Sequence, residues 1–89
     1  MGYKALMTLD LENGVGAEKR QKVYDYLKQE KWTKLKALTT AWKCSFSDDV
    51  TRDSAISICK QDVVNATKIA GVSTYHVAIQ VGKGEIEEY

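Results

Sequence analysis

"YKALMTLDLENGVGAEKRQKVYDYLKQEK", Tyr3 to Lys31, changes its hydrophobic period once, and that change decides how the rest of the chain is read. From Tyr3 to Leu11 the pattern alternates: Tyr3, Ala5, Met7, Leu9 and Leu11 face one way, and Lys4, Leu6, Thr8 and Asp10 the other. A period of two marks a half-buried strand. Asn13-Gly14 and Gly16 then break it, because both residue types tolerate positive φ. From Ala17, Arg20, Val23, Tyr24, Leu27 and Lys31 fall at steps of three and four, and Glu18 sits in the first turn, where the helix dipole favours an acid. The stretch predicts a strand, a tight break, and a helix over about 17–31 with the seam Val23, Tyr24 and Leu27.

The same two periods recur downstream. "WTKLKALTTAWKCSFS" is strand material, with Leu38, Thr40, Trp42, Cys44 and Phe46 on one face and Ala37, Thr39, Ala41, Lys43 and Ser45 on the other. It is long for one strand, so it reads as a bent strand or as two strands meeting near Thr39-Thr40. In "SDDVTRDSAISICKQDVVNATKIAG", Ile56, Cys59, Val63, Ala66 and Ala70 form a helical stripe. Asp48, Asp49 or Thr51 caps its start, and Gly71 ends it in a left-handed cap with Val72 making the accompanying apolar contact. "STYHVAIQVG" closes the series, Tyr75, Val77, Ile79 and Val81 alternating with Thr74, His76, Ala78 and Gln80.

Helices between strands imply right-handed crossovers. The compact solution is one α+β domain over residues 1–89: a ferredoxin-like split βαβ sandwich, an antiparallel sheet with both helices on one face. Gly82 and Gly84 free the tail 83–89, which could add a strand to a partner's sheet edge.

With 44% hydrophobic and 28% charged residues, the chain is too apolar to be disordered. No apolar run approaches the roughly 18 residues of a membrane span, so no membrane association is expected. The N-terminus has no signal-peptide pattern, and Leu6 stands where a myristoylation motif wants Ser or Thr. A cytoplasmic protein is expected. Cys44 and Cys59 lack metal-type spacing and read as free, apolar-packed thiols.

The net charge of +1 conceals an asymmetry. Residues 19–43 hold eight basic side chains against Asp25 and Glu30, whereas residues 44–89 hold four basic against seven acidic. Such a basic middle attracts phosphates, or it is simply the solvated face of one helix and a strand entry. Trp32 and Trp42 read as core or interface residues.

In a split βαβ sheet the last strand lies antiparallel to the first. Asp10, at the end of the first strand, should then neighbour His76, near the start of the last, on the face the helices leave open. Glu12, Ser73 and Thr74 would be close by. A carboxylate beside an imidazole serves as base and orienter, or as a metal-binding pair; equally, a polar pair on an open sheet face needs no chemistry. Leu6, Thr8, Ala78 and either Ala37 or Ala41 leave that face incompletely polar, which suits a homodimer packed sheet to sheet. Asp10 could then meet its own copy across the two-fold axis, with Mg²⁺ or Mn²⁺ relieving the repulsion.

"YKALMTLDL", "AEKRQKVYDYL" and "LTTAWKCSF", followed by a second amphipathic helix, resemble the CRISPR-associated protein 2 family. Looser relatives are the virulence-associated protein D ribonucleases and the endoribonuclease antitoxins of type V toxin–antitoxin systems. The resemblance spans about residues 3–82. It implies a ferredoxin-like homodimer with Asp10 near the two-fold axis and, in nuclease members, Mg²⁺-dependent phosphodiester hydrolysis. On that reading Asp10 holds the metal, His76 assists proton transfer, and Lys19, Arg20 and Lys43 position an RNA or DNA backbone. The chain departs from the pattern in "LTTAWK", with no arginine or glutamine before the aromatic run, and in "ENGVG", which lacks the usual arginine. The alternative from another class is a non-catalytic dimeric module that binds or inhibits a protein partner.

Overall fold

A computed structural model describes residues 2–11, 14–36, 38 and 40–87. The elements run β1 (Lys4–Leu11), α1 (Ala17–Gln29), β2 (Thr33–Lys34), β3 (Ala41–Ser45), α2 (Arg52–Ala70) and β4 (Tyr75–Gly82). The four strands form one antiparallel sheet in the order β2-β3-β1-β4. This is the ferredoxin-like α+β arrangement that the two periods predict.

Both helices pack on the face built by Ala5, Met7 and Leu9. These join Val23 and Leu27 of α1 and Ala55, Cys59, Val63, Ala66 and Ala70 of α2 in one buried cluster with Trp32, Trp42, Val72 and Val81. Trp42, Met7, Leu27, Val23, Val63 and Cys59 are fully buried. Burying an aliphatic side chain of this size contributes roughly 1.5–3 kcal/mol, so these side chains dominate the fold's stability. The Trp42 ring stacks at a tilt on Tyr24, centroids 5.3 Å apart. Its buried indole N–H has no hydrogen-bond partner among the described residues. The Trp32 indole, by contrast, donates to Asp62 Oδ2 at 2.9 Å and ties the entry of β2 to the middle of α2.

The second long strand is two strands. A turn-containing connection from Leu35 to Thr40 separates them, and this is wider than the expected meeting point at Thr39-Thr40. Leu38 falls in that connection, where strand alternation has no hold, and is 54% exposed instead of facing inward. Ala37 and Thr39 lie outside the described residues. Within β3 the alternation holds: Trp42 points to the helices, and Lys43 pairs with Leu6. At the outer strand β4, Val77 is on the inward face but remains 37% exposed, because the helices cover the middle of the sheet better than its edge.

The two helices end alike. In α2, Gly71 has φ 77° and donates to Lys68 O, while Val72 donates to Thr67 O at 2.9 Å. In α1, Lys31 has φ 74° and donates to Lys28 O, while Trp32 donates to Leu27 O at 2.9 Å. Each is a Schellman end, and in each the residue after the left-handed one is buried against the core. α1 therefore stops at Gln29, two residues short of the sequence expectation. At the other end of α2, Thr51 Oγ1 accepts from the Ser54 N–H at 3.1 Å, which selects Thr51 among the three possible caps.

Candidate functional site

The strand register carries the first candidate. β1 and β4 run antiparallel with Asp10 directly opposite His76 and Leu11 opposite Tyr75. Side chains directly opposite in such a ladder have Cβ atoms about 4.5–5.5 Å apart, so the carboxylate and imidazole can meet by rotation about their side-chain bonds. Both are exposed, on the face away from the helices. Among the described residues no hydrogen bond or ion pair joins them, and no cluster of three or more His, Cys, Asp or Glu side chains is placed to hold a metal. Ser73 and Thr74 are exposed immediately before β4. Glu12 lies outside the described residues.

The predicted backbone-binding cations do not form one surface. Lys19 is on the helix layer, its Nζ 3.4 Å from the carbonyl oxygen of Gly71 at the end of α2, where the helix dipole favours a cation. Arg20 follows it on α1, half-buried. Lys43 is on the open face, in register with Leu6. Four residue steps along β1 separate that row from Asp10, about 13 Å at the usual rise of a strand.

The open face is already partly covered by the chain itself. Ala41, in register with exposed Thr8, is buried together with Leu35, and neither joins the helix-side cluster. Residues 83–87 form no strand. Lys83 sits over the Tyr3 ring, Nζ 5.1 Å from its centre, and Glu85 pairs with Lys4 at 3.4 Å. Ile86, half-buried, lines cavities with Lys4, Leu6 and Lys43. Beside it lies a shallow hollow of about 310 Å³ lined by Leu6, Thr8, Ala78, Ile79 and Gln80. The acid–imidazole pair stands at one end of this strip and the tail at the other.

Three titrating groups lie beneath the sheet and away from Asp10. Cys44 and Cys59 lie side by side across the helix–sheet interface, a juxtaposition that their separate elements did not reveal in the sequence. That contact, followed by burial, pushes the Cys44 thiol up. Burial raises the Asp62 carboxyl, the Trp32 indole pulls it down, and Glu30 adds to the rise.

No protein-family model and no curated protein matches this chain. Among solved structures it is similar to the crystal structure of protein SP2199 from Streptococcus pneumoniae. The two are 17% identical over 97% of this chain and 90% of that one, with a TM-score of 0.59. At that identity the likeness establishes the α+β fold. Among the described residues, no helix is long and apolar enough to cross a membrane.

Proposed function

We propose that this chain is a small cytoplasmic nucleic-acid-associated protein that pairs with a second copy through its open sheet face and hydrolyses phosphodiesters with a divalent cation. The observation that carries this reading is the Asp10–His76 register pair, exposed on the one sheet face the helices leave bare. A lone carboxylate is a poor metal ligand set. Two copies of Asp10 facing each other across a two-fold axis would supply a pair, and Mg²⁺ or Mn²⁺ between them would activate water and neutralise charge on the phosphate. His76 would then exchange a proton with the attacking or leaving oxygen.

A second reading has its own observation. With no third metal-ligating side chain beside the pair among the described residues, the face suits a dimeric module that binds or inhibits a protein partner without catalysis. One experiment separates the two: cleavage of labelled single-stranded RNA and duplex DNA across a Mg²⁺ and Mn²⁺ titration, for wild type and Asp10→Ala. The mutant must first melt like wild type and keep its oligomeric state. Metal-dependent cleavage lost in the mutant supports the nuclease. Cleavage by neither protein makes Asp10 an interface acid and favours the binding module.

A further inference from the structure

A second feature of the open face lies at the end opposite Asp10. Lys4 of β1, Lys31 at the end of α1 and Lys43 of β3 line one cleft of about 340 Å³, together with Thr33, Cys44, Ser45 and the tail residues Glu85 and Ile86. The three lysines come from three separate elements, and lysines gathered on one cleft favour an anion among them. The chain supplies one itself: Glu85 reaches Lys4 at 3.4 Å although its own side chain is 76% exposed.

Lys31 adds an independent argument. Its left-handed backbone, φ 74°, is the conformation in which a side chain costs energy and glycine does not. The matching position of α2 is Gly71. A lysine in the costly position lines the cleft, where glycine would bring the same chain reversal with no charge.

We infer that this cleft is a binding site for phosphate groups, and that the acidic tail occupies it as a tethered competitor. The size is at the small end for ligand pockets, suited to one or two phosphates held by ammonium groups, with the Thr33 and Ser45 hydroxyls as further donors. Ile86 anchors the tail against the sheet while Glu85 meets Lys4, so a phosphate ligand displaces the carboxylate without unfolding the domain. The site stands whether or not Asp10 and His76 are catalytic. Its phosphate belongs to a nucleic-acid backbone or to a free polyphosphate, and the test separates the two.

The experiment is fluorescence anisotropy of a labelled twelve-residue oligothymidylate on the full-length protein over a salt titration, with tripolyphosphate as competitor. Each variant is first checked by thermal unfolding. Lys31→Gln and Lys43→Gln should each weaken binding and reduce the slope of log K against log salt by about 0.7, the value for one single-strand phosphate contact. Lys60→Gln, exposed on α2 in the helix layer, should leave the slope unchanged. Glu85→Gln should tighten binding about two- to fivefold, the range expected for an exposed charge pair. Displacement of the oligonucleotide by tripolyphosphate identifies a site for free polyphosphate; resistance to it, with the lysine effects intact, identifies a backbone site. The inference is overturned if the two lysine variants keep the wild-type slope, if the tail variant binds no tighter, or if neither probe binds the tail variant at low salt.

Discussion

Lys31→Gly should make the protein more stable and its cleft weaker. At φ 74° a side chain costs roughly 1–2 kcal/mol relative to glycine. Glycine gives back about 0.5–1 kcal/mol through the larger entropy of the unfolded chain. The two Schellman hydrogen bonds at this turn use backbone groups alone, Lys31 N–H to Lys28 O and Trp32 N–H to Leu27 O, so the substitution leaves them intact. The net gain is therefore about 0.5–1 kcal/mol. For a domain of this size 1 kcal/mol shifts the melting temperature by about 4–8 °C, so an increase of about 2–8 °C is expected. Circular dichroism melts in low and high salt would measure it. Lys31→Ala is the control that keeps the strained backbone and removes the ammonium; it should not gain stability, yet should lose as much phosphate affinity as the glycine variant. If Lys31→Gly lowers the melting temperature, the lysine side chain makes stabilising contacts that outweigh the strain, and the argument from the turn fails.

Two further outcomes follow from groups beneath the sheet. Asp62 has its carboxyl raised chiefly by burial, so its favourable contribution to stability is fully present below its unfolded value of about 3.9 and is lost as pH rises through its native value. Asp62→Asn retains an oxygen to accept from the Trp32 indole, and its stability relative to wild type should climb through that interval and level off above it. Urea unfolding from pH 3.5 to 7 reads this directly, and a pH-independent difference between the two proteins would refute it. Cys59, fully buried in the helix–sheet interface, should react with a thiol reagent such as Ellman's only as fast as the protein unfolds. It should titrate at once in guanidinium, whereas rapid labelling of Cys59 in the native state would show that the helix–sheet interface opens locally.

Much of the fold was legible because the two periods barely overlap. Tyr3 to Leu11 and Tyr75 to Val81 alternate over whole strands, and Ile56 to Ala70 keeps one helical stripe to a glycine that ends it. Antiparallel pairing of the first and last strands then follows from topology, and with it the meeting of Asp10 and His76 across 66 positions. Leu38 lies between β2 and β3, outside both strands, so alternation carried through it assigns the wrong face. The end of α1 was misjudged for a related reason: the signal for a left-handed stop is glycine, and the chain uses lysine.

That last misreading bears on function. Alternation alone sets Lys4 and Lys43 on the open face, but it cannot show that they share a cleft with Lys31, which belongs to a helix end with no sequence mark. Nor can it show that the tail folds back, since Gly82 and Gly84 announce freedom and say nothing of where Ile86 comes to rest. The basic segment 19–43 looked like one surface in the sequence; the fold divides it, sending Lys19 and Arg20 to the helix layer and Lys31 and Lys43 to the cleft. Phosphate recognition through the clustered lysines therefore has to be sought about 13 Å along β1 from Asp10.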